Sequence, residues 1–366
     1  MRECRLKPAG EQKEMSTTRY VGVDVGKERC RAAIMNKQGT MEKEFFFENN
    51  QKGINHLTSL LTCDDQVVME STANLWLTLY EALDDKHIKT VLANPMKTKA
   101  IASARVKTDK VDAKILAHLL RADLIAESYV PPQQIREIRA LIRHRLSLMK
   151  MRTMVKNKVH ALTDKYGYRC EFSDMFGVSG LKWLRTLEMK DLDRLILENH
   201  LLHIEVINLQ IGKADVAIKG KACEDEDVRL LMSLPGIDVR TALLLKSEIG
   251  LIGRFEGYKH LVSWAGLAPR VHQSGNVEWN GGITRCGLGI LRWAIVEAAH
   301  TAVCYDERFG EFYGRVKARR GGSKAVVAVG NKMLKVVWVL LVRREVYGGV
   351  NQRRYEEKLN SAGFDM

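Results

Sequence analysis

Acidic side chains set among basic ones are the first feature of this chain that bears on chemistry. In "ARVKTDKVDAK", Ala104 to Lys114, Asp109 and Asp112 stand three residues apart, with Lys107 and Lys110 on either side of the first. On a helix, positions i and i+3 share a face, so the two carboxylates converge and repel unless a cation lies between them. Two readings follow. One is a solvated helix start capped by Thr108 or Asp109; the other is half of a site for a hard divalent cation. Two further acids favour the second: Asp24 in "VGVDVGK", on the first expected strand, and Glu70, which closes the strand "QVVME".

The elements that must position these acids follow from the pattern before and between them. From Tyr20, "RYVGVDVGK", "CRAAIMNKQG" and "EKEFFFEN" are three short strand-like runs separated by polar breaks, the pattern of an antiparallel meander. Next come a helix in "QKGINHLTSLL", a buried strand in "QVVMES", a helix in "ANLWLTLYEALDD" and a strand in "IKTVLANP" stopped by Pro95. The remainder to Glu127 reads as helix. That order predicts an α/β fold of the ribonuclease H type, a mixed sheet with helices on both faces. In such a sheet the first strand is central and the next parallel strand is its neighbour. Asp24 and Glu70 then lie side by side, with the helix bearing Asp109 and Asp112 over them.

Four carboxylates at one point do not stay ionised without cations, and hard oxygen donors suit Mg²⁺ or Mn²⁺. Two ions roughly 4 Å apart activate an attacking oxygen and stabilise the leaving oxygen of a phosphodiester. Lys107 and Lys110 then become phosphate contacts. "GVDVGK" also fits the phosphate hairpin of sugar kinases and actin-like ATPases, but the second Gly-rich hairpin of the D-x-G type that these need does not follow.

The charge balance points to a polyanion. The chain has 366 residues, enough for two or three domains, and a formal net charge of +14. Between Ile135 and Arg169 ten Lys or Arg, among them Arg136, Arg139, Arg143, Arg145, Arg152 and Lys156, face two acids. Arg315 to Arg354 is similarly lopsided. Cations spread over long stretches suit a nucleic-acid backbone better than a small acidic substrate. The seven cysteines are scattered without a C-x-x-C pair, which argues against zinc and disulfides and for a reducing cytoplasm. "MLKVVWVLLV" is too short to span a bilayer and reads as a buried helix. Residues 1–18 have no apolar signal region and read as a loose leader, with Met15 an alternative start.

Beyond a first domain at 19–130, residues 131–226 read as a helical linker. "IREIRALIRHRLSLMKMRTMVKNKVHAL" has the spacing of a coiled-coil seam, with "DLDRLILENHLLHIEVINLQIGKADVAI" as its antiparallel partner. His200 and His203 fall on the second helix, where a solvated face is the simpler account than a metal pair. Residues 227–350 form a mainly helical C-terminal domain and 351–366 a tail. "LMSLPGIDVRTALLLKSEIG" suits either a helix–hairpin–helix unit, whose turn faces a nucleic-acid phosphate, or an ordinary helical turn. "GLAPRVHQSGNVEWNGGITRCGLGILRWAIVEAAHTAV" reads as a glycine-rich hairpin entering a long helix.

Taken in order, "YVGVDVGKERCRAAIM", "VVMESTANLWLTLYEAL", "VLANPMKTKAIASARVKTDKVDAKILA" and "LPGIDVRTALLLKSEIG…RFEGYKHLVSWAGLAPRVHQSG" resemble the insertion sequence 110 transposases over about Tyr20 to Val303. The resemblance implies a RuvC-like Asp-Glu-Asp-Asp domain, a helical linker and a C-terminal domain with a nucleophilic serine. Asp24, Glu70, Asp109 and Asp112 map onto the acidic tetrad and Ser274 of "HQSG" onto the serine. It also implies element-end and target DNA as substrates, a bridge RNA as guide, and a nucleoid-associated protein of the cytoplasm. Arg270, Arg285 and Arg292, near the serine, are then candidate phosphate clamps, with ordinary surface arginines the simpler account. Ser274 lies far along the chain from the acids, so the site must be assembled either by folding back or from two protomers; a homo-oligomer, dimer or tetramer, is expected because helical hairpins commonly dimerise. "ESTANLW" departs from the Glu-Ser-Thr-Gly run of the family, and residues before Thr18 have no counterpart. A hydrolytic junction-resolving nuclease using the same acids, and a non-catalytic nucleic-acid binder, are the alternatives.

Overall fold

The computed structural model describes residues 18–70, 74–95, 97–98, 109–274 and 277–364, with the backbone alone for 109–111, 271–274 and 277–280. The chain divides into two compact units, with the boundary between Val130 and Pro131.

The first unit runs β1 (Tyr20–Val25), β2 (Arg29–Met35), β3 (Met41–Glu48), α1 (Gln51–Ser59), β4 (Gln66–Glu70), α2 (Leu77–Asp84), β5 (Lys89–Ala93) and α3 (Asp109–Arg121). Its mixed sheet has the order β3-β2-β1-β4-β5. Short connections make β1, β2 and β3 antiparallel neighbours, whereas β4 and β5, linked through α2, run parallel to each other and to β1.

Alternation along the strands gives the sheet two covered faces. On one, Val21, Val23 and Val25 join Val67 and Met69 and meet Ile54 and Leu57 of α1 and Leu79 and Leu83 of α2. On the other, Val68, Val91 and Ala93 meet Leu116 and Leu120 of α3. Gly22 permits that second contact: a Cβ there would lie 2.0 Å from the carbonyl oxygen of Ala113. Polar anchors flank it, with Glu44 of β3 accepting from Arg31 of β2 at 2.9 Å and pairing with Lys114 of α3 at 2.5 Å.

The last turn of α3 places Arg121 against Gly39, in the turn between β2 and β3. Because Met35 at the end of β2 pairs with Tyr20, that turn lies beside the start of β1. Helix α3 therefore runs antiparallel to β1, with its first turn toward the strand's carboxyl end. The helix expected to continue to Glu127 stops at Arg121 instead. Asp123 takes a left-handed backbone angle (φ 56°) and the chain returns along β5, with Ser128 N donating to Leu92 O at 2.6 Å and Glu127 bridging Ala93. Pairing with an open sheet edge outweighs continuation of the helix.

At the other end of β1, the buried Asp65 carboxylate accepts from Arg19 Nε at 2.9 Å, from Arg19 Nη2 at 2.7 Å and from the Thr62 amide at 2.8 Å. Burial opposes the charge, but Arg19 and these donors outweigh it and hold Asp65 below the usual carboxylate range.

The second unit is helical apart from one hairpin. It contains α4 (Gln133–Lys165), α5 (Val178–Thr186), α6 (Asp191–Ala222), α7 (Glu226–Met232), α8 (Val239–Ile249), α9 (Tyr258–Trp264), β6 (Pro269–Ser274), β7 (Val277–Ile283), α10 (Gly289–Tyr305), α11 (Glu307–Arg320), α12 (Gly322–Arg343) and α13 (Gln352–Ala362). The long helices α4 and α6 pack through Val155, Val159 and Leu162 against Leu197, Leu201 and Ile204. Their far ends join the main core, where Ile142 and Ile218 belong to one buried cluster with Leu243 and Val337. Helix α12 has the length and hydropathy to cross a membrane, but half of its apolar window is buried in the protein, as a core helix requires. Within the segment 351–366, expected as a tail, residues 352–362 instead form α13, and Tyr355, Leu359 and Phe364 enter the core.

Gly22→Val pushes α3 off the sheet and lowers stability of the first unit by about 3 kcal/mol, measured by urea unfolding followed through Trp76. The contribution of Asp65 is complete above its unfolded pKa of about 3.9 and is lost as pH falls through its lower folded value. Asp65→Asn should therefore weaken the protein at neutral pH and lessen its further loss of stability on acidification below about pH 4, measured as denaturation midpoints across pH.

Candidate active site and nucleic-acid interface

In the parallel ladder Val23 pairs with Met69, so the next residues, Asp24 and Glu70, are neighbours at the carboxyl ends of β1 and β4. Alternation places both on the face covered by α3, and both are half-buried. The antiparallel course of α3 brings its first turn, with Asp109 and Asp112, toward the same end of the sheet. Asp112 is half-buried, and the side chain of Asp109 lies outside the described residues. Among the described residues no three Asp, Glu, His or Cys side chains form a ligand set for an ion. Asp24 and Glu70, neighbouring carboxylates on one face of the sheet, are nonetheless hard oxygen donors of the kind a divalent cation takes. Cys30, on the opposite face, is pushed up to about 11 by burial and by the charge of Asp24, which keeps it a thiol and a poor nucleophile.

Of the lysines expected beside the acids, Lys107 lies outside the described residues, as does the side chain of Lys110. Ser274 ends β6 and pairs with Val277 across the hairpin, and its side chain also lies outside the described residues. The acids belong to the first unit and Ser274 to the second.

The base of the β6–β7 hairpin is fixed by backbone contacts. Thr284 N donates to Ala268 O at 2.9 Å and Arg285 N to Gly266 O at 3.2 Å. Gly266 and Gly287 have positive φ, and a Cβ on Gly287 would lie 2.0 Å from Trp264 O. Around this base, Arg270 donates to Thr284 O and remains exposed, Arg285 is exposed with φ 55°, and Arg292 donates to Ala265 O at 3.3 Å. Arg292 is thus a buttress at the end of α9.

Helix α4 requires a correction. Arg139, Arg143 and Arg145, expected as phosphate contacts, are engaged within the chain. Arg139 donates to Ser247 O at 2.7 Å, and Arg143 makes a two-pronged pair with Glu248 at 2.8 and 2.9 Å. Glu248 is 1 % exposed and closes α8, where free carbonyls and the negative end of the helix dipole add to the demand for cations. Arg145 pairs with Asp215, which Arg240 also contacts. More peripherally, Arg152 donates to Asn208, Lys156 lies over the Phe176 ring and Arg136 donates to Pro131 O. His200 sits half-buried beside His203, and its pKa is lowered by burial and by the charge of Lys158.

Sequence reasoning missed Lys358. From α13, its ammonium reaches the turn between α7 and α8 and donates to the carbonyls of Met232, Leu234 and Ile237 at 2.5, 2.9 and 2.9 Å. Burial lowers its pKa to about 8, against the opposing pull of Asp238. In the same turn Gly236 has φ 80°, and Asp238 caps α8 by accepting from Thr241 N. Lys358 lies beyond five intervening α-helices in the chain, and nothing in local periodicity signals that contact.

The chain thus joins a mixed sheet with acids at the ends of two strands to a helical unit that carries one hairpin. Residues 21–167 match the model of the DEDD transposases of the IS110 group, described as "Transposase", and residues 228–314 match the "Transposase IS116/IS110/IS902 family". The chain is 26 % identical over 348 residues to the transposase for insertion sequence element IS1111A of Coxiella burnetii, covering 92 % of this chain and 93 % of the relative. It is 24 % identical to the transposase for insertion sequence element IS1328 of Yersinia enterocolitica, covering 91 % and 99 %. With the pilin gene-inverting protein of Moraxella bovis the identity is 28 %, covering 89 % and 96 %. The two family models together span more than half of the chain, which belongs to the IS110 family of transposases.

Arg139→Ala leaves the end of α8 and the buried Glu248 short of a partner. It should cost about 2 to 3 kcal/mol in chemical denaturation, while the affinity of the folded fraction for a DNA duplex, measured by fluorescence anisotropy, stays unchanged.

Proposed function

We propose that this chain cuts and rejoins the DNA of a mobile element through a serine–phosphodiester intermediate, at a site whose acids belong to a RuvC-like domain. The observation that carries this reading is the β1–β4 register with α3 on the same face, which directs Asp24, Glu70 and the first turn of α3 to one sheet end. Asp24, Glu70, Asp109 and Asp112 would hold Mg²⁺ or Mn²⁺ through carboxylate oxygens. When bound, these ions supply Lewis-acid stabilisation of the phosphodiester oxygens.

Ser274 attacks the phosphorus: its Oγ–P bond forms, the bond from phosphorus to the leaving sugar oxygen breaks, and the hydroxyl proton passes to a nearby base. The leaving oxygen gains a proton. Because the phosphoserine keeps a phosphodiester, a second sugar hydroxyl can displace Oγ and restore a continuous strand without ATP. Lys107 and Lys110 steady the DNA phosphates at the acids, and Arg270 and Arg285 do so at the hairpin.

The turn held by Lys358 is the part of a helix–hairpin–helix that meets a phosphate. An element-encoded bridge RNA selects the DNA by base pairing, and the basic surfaces serve both nucleic acids. A homo-oligomer supplies acids and serine to each reacting phosphate, and the long helices act as its coiled-coil linker.

Asp24→Ala and Ser274→Ala should each abolish recombination of element-end DNA supplied with the native RNA, by at least a hundredfold. Denaturing gels should show a protein–DNA adduct with the unaltered chain and none with Ser274→Ala. Strand cleavage without any adduct, persisting in Ser274→Ala, would establish hydrolysis instead.

A further inference from the structure

Lysine on a helix usually carries its ammonium out to water or to a carboxylate. Lys358 does neither. Its Nζ commits all three N–H groups to main-chain oxygens of a single turn, those of Met232, Leu234 and Ile237, at 2.5, 2.9 and 2.9 Å. Asp238 favours the charge without forming an ion pair with it. Carbonyl oxygens carry partial negative charge and repel one another, so three of them converge stably only around a cation. Met232 also ends α7, where unpaired carbonyls and the helix dipole deepen the negative potential. Converging carbonyls of this kind are how proteins replace the hydration shell of K⁺.

The shape of this cage does not depend on Lys358. Ser233 Oγ donates to Leu230 O at 2.6 Å and accepts from Tyr347 N at 3.0 Å, which ties the turn to the chain beyond α12. Leu234 N donates to Leu231 O at 3.1 Å. Gly236, with φ 80°, rests on α10 so closely that a Cβ would lie 2.2 Å from Ala298 O. Asp238 then caps α8 by accepting from Thr241 N at 2.8 Å. Loss of the ammonium would therefore leave three oxygens facing one vacant point. A cleft of about 470 Å³, with Pro235, Gly236, Tyr305, Arg354 and Lys358 in its walls, gives a small ion a route to that point.

We propose that the turn between α7 and α8 is a monovalent-cation site built from the carbonyls of Met232, Leu234 and Ile237, in which the tethered ammonium of Lys358 takes the place of a free ion. Three neutral oxygens suit a single charge; a divalent ion would call for carboxylates. A free ion exchanges with the medium, whereas the lysine is delivered by α13, whose Tyr355 and Leu359 are held in the core. The turn thus keeps its positive charge whatever salt surrounds it. That this charge assists the turn in meeting a phosphate rests on the helix–hairpin–helix reading given above; the cation site itself does not.

Lys358→Met keeps the apolar stem and removes the head group, so it opens the cage. Replacing choline by K⁺ or NH₄⁺ at constant ionic strength should raise the thermal midpoint of this variant by about 4 °C. The unaltered chain, its cage already filled, should show no such rise. A variant indifferent to the cation, or an unaltered chain with the same response, would overturn the inference. If Lys358→Met does not fold in choline, its far-UV circular dichroism decides: recovery in K⁺ or NH₄⁺ supports the site, and no recovery in either overturns it. Fluorescence anisotropy with a DNA duplex separates the site from its use. The variant should bind about tenfold more weakly in choline than in K⁺, with the unaltered chain alike in both. A midpoint that responds to K⁺ while the affinity does not would uphold the cation site and remove the phosphate role of the turn.

Discussion

The parallel pairing of β1 with β4 is the constraint that sets Asp24 beside Glu70. The side-chain period of a strand is two, so a slip by one residue would turn Asp24 or Glu70 to the opposite face. Register is held from both directions. Above it, Val21, Val23, Val67 and Met69 must all enter the cluster under α1 and α2. Below it, the closeness of Gly22 to Ala113 leaves room for no side chain. At the start of the strands, Asp65 is tied to Arg19 and Gln66 N donates to Arg19 O at 2.9 Å, which pins β4 beside β1 before either acid is reached.

In the second unit the same logic works through charge. A net +14 overstates the free cationic surface, because Arg139, Arg143 and Arg145 of α4 are paired within the chain. The C-terminal end of α8 presents carbonyls, a dipole and the buried Glu248, and Arg139 and Arg143 meet that demand. Lys358 does comparable work at the end of α7, joining three carbonyls of one turn to the last helix of the chain. Truncation of α13 would remove both that ammonium and the apolar contacts of Tyr355 and Leu359. The basic blocks are therefore partly scaffold.

Much of the first unit was legible because each strand signals itself locally. "VGVDV" and "QVVME" are short apolar runs bounded by polar residues, and the chain order of strands and helices restricts the sheet to few topologies. The acids stood out by position, at strand ends and a helix start. What could not be read was long-range satisfaction of polar groups. Nothing in "IREIRALIRHR" distinguishes an arginine that faces solvent from one that reaches Glu248 more than a hundred residues away. The end of α3 was misjudged for a related reason, since the edge of β5 captures residues that would otherwise extend the helix. The helical character of 352–362 was likewise hidden, its burial coming from α7 and the turn after it rather than from its own polar composition.

Glycine, rather than the reactive groups themselves, sets the precision of both candidate chemistries. In the first unit Gly22 lets the backbone of α3 rest on β1, so the height of the helix above the sheet is fixed by main-chain atoms. In the second, Gly266 and Gly287 bring the strands of the β6–β7 hairpin and the chain beyond them against the end of α9, with Arg292 closing the contact at Ala265 O. Backbone against backbone is the stiffest contact a protein can make, because no rotamer can absorb a displacement. Functional groups carried one or two residues from such a contact inherit its rigidity, whereas those on long surface side chains do not. Of the candidate groups, Asp24 at the end of β1 lies within that reach. Asp24 lies two residues from Gly22, and Ser274 closes the first strand of a hairpin whose base is clamped by glycine contacts.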